Sequence, residues 1–267
     1  MKNVNRKHNA LRLLTGIDLS KGLLLMIATL LLFGAAPLAA QEKSADDWQY
    51  DVQIYLWGAT VKGTTVTGDP ITMTFGDILK NLDLAAMTTL GARKNKFSML
   101  ADVIYLSIGD SQRHNGEFLG QPVTGKLEVG LDAWVLNFIG GYNVVDSGTN
   151  QFDITAGARY LDLKLDATFK LGEQKRKIPA GDNIWDGVIG FKGRHNFSDG
   201  HYVNYYADIG GGGSKTTWQA VANFAYDYKR FTGIVGYRYL HWNLKNDAKA
   251  LDDLTLHGPY ISAKWSF

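Results

Sequence analysis

The closing ten residues, GPYISAKWSF (258–267), decide the fold. Taken alternately they separate into Phe267, Trp265, Ala263 and Ile261 on one side and Ser266, Lys264, Ser262 and Tyr260 on the other. A period of two belongs to a β-strand, whose successive side chains point to opposite faces. This strand is apolar on one face and polar on the other, and it ends on an aromatic residue.

The same alternation recurs upstream. In WQAVANFAYDY (218–228), Trp218, Ala220, Ala222, Phe224, Tyr226 and Tyr228 share a face opposite Gln219, Val221, Asn223, Ala225 and Asp227. In WDGVIGFKGRHNF (185–197), Trp185, Ile189, Phe191 and Phe197 alternate with Asp186, Gly190, Lys192, Arg194 and Asn196. Such segments separated by turn chemistry predict about ten strands, at 48–61, 85–94, 97–109, 124–145, 151–171, 184–197, 201–212, 217–228, 231–244 and 254–267. Tight connections (94–96, 146–150, 198–200, 229–230) alternate with longer ones (62–84, 110–123, 172–183, 245–253), the Gly-rich 213–216 being a short exception. That is the pattern of an all-β, closed antiparallel transmembrane β-barrel. Closure is required because an unpaired strand edge in hydrocarbon leaves each N–H and C=O without a partner, at a cost of several kcal/mol apiece. Trp48, Phe197, Trp218, Tyr228, Phe231, Trp242 and Trp265, near strand ends, are expected in the interfacial girdles.

Composition agrees. The 267-residue chain has 30 Gly, 5 Pro and no Cys, which rules out disulfides, cysteine zinc sites and a lipidated cysteine. Lys2, Arg6, Lys7, Arg12 and Lys21 precede or open an apolar run ending in small residues, GLLLMIATLLLFGAAPLAA (22–40). Its apolar core of about a dozen residues is shorter than the roughly 20 of a spanning helix, and with the small-residue exit it has the form of a secretory signal peptide, residues 1–40, leaving 41–267 as one barrel domain. Without those five basic residues and Asp18, 23 basic and 25 acidic residues remain, a net charge of −2. Nothing here recommends nucleic acid as a partner. No cofactor or metal is expected, since GGGG at 210–213 lacks the lysine and helix of a phosphate loop and no metal-ligand spacing occurs.

The terminal strand with its final Phe resembles the C-terminal signature of Gram-negative outer-membrane β-barrel proteins. That resemblance implies an outer-membrane location after export, and it implies recognition of Phe267 and Trp265 as an assembly signal by the barrel-assembly machinery. ADIGGGGSKTTWQ (207–219), together with the closing strand, is similar to a widespread, functionally uncharacterised group of outer-membrane barrels, over most of the chain from WQYDVQIYLWG onward. It implies fold and location, and no substrate.

Inside the predicted barrel, Arg159, Arg238 and Asp208 fall at similar depths in their strands, with Asp102 slightly lower. The two arginines lie in a shared pattern, Gly-x-Arg-Tyr-Leu, at Gly157 and Gly236, and a β-bulge is expected near each Tyr because the apolar set changes parity there. These four charges are read as a lumen cluster. It is either an ion-pair network that fills a barrel only slightly wider than an eight-stranded one, or a charged constriction for small solutes.

Outside, Lys175, Arg176 and Lys177 form a basic loop run suited to lipopolysaccharide phosphates or to plain solvation. Ile78, Leu79 and Leu82 in TFGDILKNLDL are spaced for one face of a short helix. The reading is of a non-enzymatic envelope protein, structural or passing small solutes. The competing class is a surface hydrolase of lipid or peptide, for which His257 near Asp252 and Asp253 is the candidate acid–base group.

Overall fold

The computed structural model describes residues 47–118, 121–171 and 174–267, with side chains except at 110–129 and 167–179. The leader read at 1–40 lies outside the described residues. Ten strands form a closed antiparallel cylinder: β1 (Gln49–Trp57), β4 (Leu82–Lys94), β5 (Phe97–Phe118), β6 (Gln121–Asp146), β7 (Asn150–Leu171), β8 (Gln174–Ser198), β9 (His201–Gly212), β10 (Thr216–Asp227), β11 (Thr232–Asn243) and β12 (Leu251–Ser266). Two further strands, β2 (Thr60–Thr65) and β3 (Pro70–Met73), form a hairpin added to the upper part of β12. A short helix α1 (Phe75–Lys80) links β3 to β4.

Closure is made by β1, which pairs with β12 from Asp51↔Ser266 to Trp57↔Tyr260 and with β4 from Gln49↔Arg93 to Ile54↔Thr88. The last residue takes part in the seam: Phe267 N donates to Tyr50 O at 2.8 Å, and Tyr50 N donates to Phe267 O at 3.2 Å.

The outer wall is apolar. Met99, Phe138, Ile154, Ile189, Ile209 and Ile261 are exposed on it, a surface that water penalises and hydrocarbon accommodates. Aromatic pairs bound this belt. Near the tight turns stand Phe97–Tyr142, Phe152–Phe191 and Tyr228–Phe231, and at the other edge Tyr105–Trp134, Tyr160–Trp185 and Trp218–Tyr239. From Phe97 to Tyr105, Phe152 to Tyr160 and Phe231 to Tyr239 the spacing is eight residues each time. At about 3.3 Å per residue that is roughly 26 Å along the strand, the scale of a barrel's apolar band.

Three expectations are corrected. The segments at 110–123 and 172–183 are mostly strand: β5 and β6 stay paired up to Phe118↔Gln121, and β7 and β8 up to Leu171↔Gln174. Cross-strand hydrogen bonds carry these hairpins far beyond the aromatic edge. Second, the register runs without a shift through Tyr160 on the β7–β8 ladder and through Tyr239 on both ladders of β11, so neither strand bulges there. The change of parity has a different cause. Leu161, Leu163 and Leu240 point into the lumen, which turns apolar above the charged layer, while the outer face becomes aromatic and then polar. Third, Trp242 belongs to no girdle; it is fully buried inside the barrel.

The shared Gly-x-Arg pattern has a steric reason. A Cβ on Gly157 would stand 2.0 Å from Phe138 O, and one on Gly236 2.6 Å from Ala222 O and 2.8 Å from the Tyr260 ring. Each glycine therefore lets a neighbouring strand close in directly beneath an inward arginine.

Helix α1 caps the far end of the barrel, with Ile78 buried against Leu106 and Ile108. Its start is a reciprocal box: Asp77 N donates to Thr74 Oγ1, while Thr74 N and Oγ1 donate to the Asp77 carboxylate at 3.1 and 2.6 Å. Those donors, the Thr74 hydroxyl first, hold the Asp77 carboxyl below its ordinary range.

Candidate functional site: the charged layer of the lumen

The four predicted charges all point inward and all are buried, Arg159 completely. Strand parity puts them there: 159 on β7, 238 on β11, 208 on β9 and 102 on β5 are in phase with the lumen face. They form two ion pairs. Arg159 Nη2 meets Asp208 Oδ2 at 2.6 Å, and Arg238 Nη2 meets Asp102 Oδ2 at 2.8 Å across the lumen from β11 to β5.

Neutral side chains join these pairs into one layer. Asn137 accepts from Arg159 Nε at 2.7 Å and donates to Asp102 Oδ2 at 3.1 Å, so it belongs to both pairs. Gln219 Oε1 takes two hydrogen bonds from Arg238, and Tyr55 OH accepts from Arg238 Nη1 while donating to Asp102 Oδ1 at 2.7 Å. Thr89 also donates to Asp102 Oδ1, and Thr217 accepts from Arg159 Nη1. Tyr206 OH donates to Asp208 Oδ2. These hydrogen bonds are what make charge tolerable in a low-dielectric interior, although Asp208 Oδ1 is buried without a partner among the described residues. Asn137, Gln219, Thr217 and Tyr55 were not singled out from the sequence. Their signal was present, since each lies in the inward phase of its strand, but a neutral polar residue in a lumen draws no notice until a charge is seen to need it.

Apolar side chains seal the layer on the side away from the tight turns. The guanidinium of Arg238 stands 5.0 Å from the ring centre of Trp57, and that of Arg159 5.9 Å from Trp242. Above them Leu161, Leu163, Leu240 and Leu244 are packed with Val135, Leu254 and Trp57 in one buried cluster. Asp186, read only as a polar strand residue, is buried too and accepts from Ser214 N at 2.8 Å, pinning the Gly-rich β9–β10 turn. In that turn Gly212 has φ +139°, a backbone state that L side chains rarely adopt.

Below the layer, toward the tight turns, the lumen opens into a cavity of about 320 Å³ whose ceiling includes Tyr55, Asp102, Gln219 and Arg238. Asp153 sits in its wall, paired with Arg93 at 2.7 Å and Lys192 at 3.5 Å.

The remaining candidate residues lie apart. Lys175, Arg176 and Lys177 are within β8, opposite Lys170, Phe169 and Thr168 of β7, and their side chains lie outside the described residues. Trp265 faces outward near Phe231, with ring centres 6.4 Å apart, and Phe267 is partly exposed at the seam. Among the described residues no hydrogen bond or ion pair joins His257 to Asp252 or Asp253. It lies on the outer wall, where its Nδ1 is 2.8 Å from Tyr237 OH and its ring stacks on Tyr239. Among the described residues no group of three metal-ligating side chains converges.

No family model matches this chain, and no curated protein matches it. Among solved structures it is similar to the outer membrane protease OmpT from Escherichia coli, at 9% identity and TM-score 0.47, covering 86% of this chain and 99% of that one. It is also similar to the translocator domain of the autotransporter NalP from Neisseria meningitidis, at 16% identity and TM-score 0.41, covering 94% and 98%. A third is the CymD monoaromatic hydrocarbon channel, at 10% identity and TM-score 0.31, covering 83% and 89%. These likenesses carry no assignment of activity. The class that fold and site define is a ten-stranded transmembrane β-barrel with a cross-braced lumen, and it stands on the strand pairing of this chain itself.

Proposed function

We propose that this chain is an exported integral protein of the Gram-negative outer membrane that serves as a closed scaffold and not as a through-channel. The observation that supports this most is the two-storey filling of the lumen. A charged layer with its ion pairs matched lies beneath an apolar stopper that includes Trp57, Trp242, Leu161 and Leu240. A passage for ions or polar solutes needs a continuous wet path, and the stopper interrupts it. What the scaffold carries is the tall sheet of β5 to β8, whose strands run 13 residues beyond Tyr105 on β5, to Phe118, and 11 beyond Tyr160 on β7, to Leu171. Those lengths are roughly 43 and 36 Å along the strand, ample to stand clear of the lipid. With the tight turns on the periplasmic side, that sheet is displayed at the cell surface, where the Lys175 to Lys177 run meets lipopolysaccharide phosphates. The barrel-assembly machinery is its partner during biogenesis.

The test is single-channel recording in planar bilayers. Wild type and Arg238→Ala should both leave the bilayer insulating, because the stopper survives the substitution. Steady ohmic steps from the wild-type protein would remove the closed-scaffold reading.

A further inference from the structure

The cavity beneath the charged layer is unbalanced. Five cations line it, Arg93, Lys192, Arg194, Lys264 and Arg238, against three carboxylates, Asp51, Asp102 and Asp153, an excess of two positive charges. Arg238 is consumed by Asp102. Arg93 and Lys192 share the single Asp153. Lys264 reaches Asp51 only at 3.9 Å, and among the described residues Arg194 has no carboxylate within 4.0 Å. Asp227 is engaged by the hydroxyls of Tyr202 and Thr232 and does not line the cavity.

The hydrogen bonds run in the same sense. Arg194 Nε donates to Asn204 Oδ1, Asn204 Nδ2 to Asn223 Oδ1, and Asn223 Nδ2 to Tyr260 OH, a relay that uses up acceptors. The Arg194 guanidinium stands over the Tyr202 ring, 3.9 Å from its centre, and its two terminal nitrogens make no hydrogen bond among the described residues. A guanidinium braced by an aromatic face with its fork free is preorganised for an oxyanion. Like charges in a low-dielectric recess repel unless a counter-charge sits among them.

We propose that this recess is a binding site for a compact, multiply charged anion bearing phosphate or carboxylate groups. The anion enters from the tight-turn end and is held among Arg194, Lys264, Arg93 and Lys192, all of which line the recess. The volume of about 320 Å³ lies at the small end of ligand pockets. The charged layer forms its roof, so the site is a blind socket. From the scaffold reading it takes only the orientation of that mouth toward the periplasm, and a titration in detergent does not depend on that orientation.

The experiment is calorimetric titration of the folded protein in a neutral detergent with inorganic pyrophosphate and, separately, with citrate. Fold is checked in every variant by heat-modifiable gel mobility. Saturable binding of either anion is expected, weakening as salt rises. Arg194→Gln and Lys264→Gln should each weaken it by about tenfold or more, and Lys229→Gln, in an exposed turn, should leave it unchanged. Preference for pyrophosphate marks a phosphate ligand and preference for citrate a carboxylate one; either supports the site. Absence of saturable binding of both anions to folded wild type overturns it, as does equal affinity in the folded Arg194→Gln/Lys264→Gln protein.

Discussion

Asp102 is the most informative position to perturb. Its carboxylate accepts from Arg238, Tyr55, Thr89 and Asn137. At the 2.8 Å separation of the ion pair, Coulomb attraction at an effective dielectric of 20 is about 6 kcal/mol. Desolvating two ions offsets most of that, so the pair as a whole is close to neutral for stability. Removing one partner is a different matter. Asp102→Leu leaves the Arg238 cation buried with only Gln219 and Tyr55 to receive its protons, and such an uncompensated charge costs about 3–5 kcal/mol. Adding Arg238→Met removes the stranded charge. Tyr55, Thr89 and Asn137 lose the Asp102 acceptor in both variants, so what the double variant adds is mainly the orphaned Gln219 carbonyl, about 1–3 kcal/mol. The double variant is therefore expected to be more stable than Asp102→Leu alone. Urea unfolding of the protein reconstituted in lipid vesicles, followed by tryptophan fluorescence, measures both midpoints. If the double variant unfolds at or below the midpoint of the single one, burial of unmatched charge is not what Asp102 prevents, and the account of the layer fails.

Other outcomes follow from the same structure. Leu240→Ala, at a fully buried stopper position, should cost about 2–5 kcal/mol in the same unfolding assay, whereas Val235→Ala on the outer wall should cost markedly less. Deleting Phe267 removes both backbone bonds to Tyr50 and should lower the fraction of chain that reaches the compact, heat-modifiable form in assembly assays; an undiminished yield would speak against the seam role. Because the Asp77 carboxyl lies below its ordinary range in the folded state, its contribution to α1 is present above the unfolded value and is lost as pH falls through the folded one. Amide exchange across 74–80 should therefore quicken only at pH below the usual carboxylate range, and Asp77→Asn should abolish that dependence.

The strands were legible because a single-layer sheet between lipid and lumen must alternate: 260–267 does so without interruption, and Trp218, Phe224, Tyr226 and Tyr228 keep one face of 218–228. The inward phase of Arg159, Arg238, Asp208 and Asp102 followed from the same parity. Pair identity did not, because Arg238 reaches Asp102 across the lumen, and distances across a barrel depend on curvature that no local pattern encodes. The supposed bulges at Tyr160 and Tyr239 arose from assuming that leucines face lipid throughout; the leucines at 161, 163 and 240 face inward because the lumen itself is dry there. The long hairpins were hidden for a related reason. Beyond the membrane both faces of a strand can be polar, so QKRKIPAGDN (174–183) loses its alternation while keeping its hydrogen-bonded ladder.

The seam between β1 and β12 also governs when the molecule comes into being. Asp51 and its hydrogen-bonding partner Ser266 are 215 positions apart, and Tyr50 pairs with Phe267 over a similar span. Contacts of such span form slowly. Closure of the cylinder is therefore a late event, and until it happens every lipid-seeking strand stands without its seam.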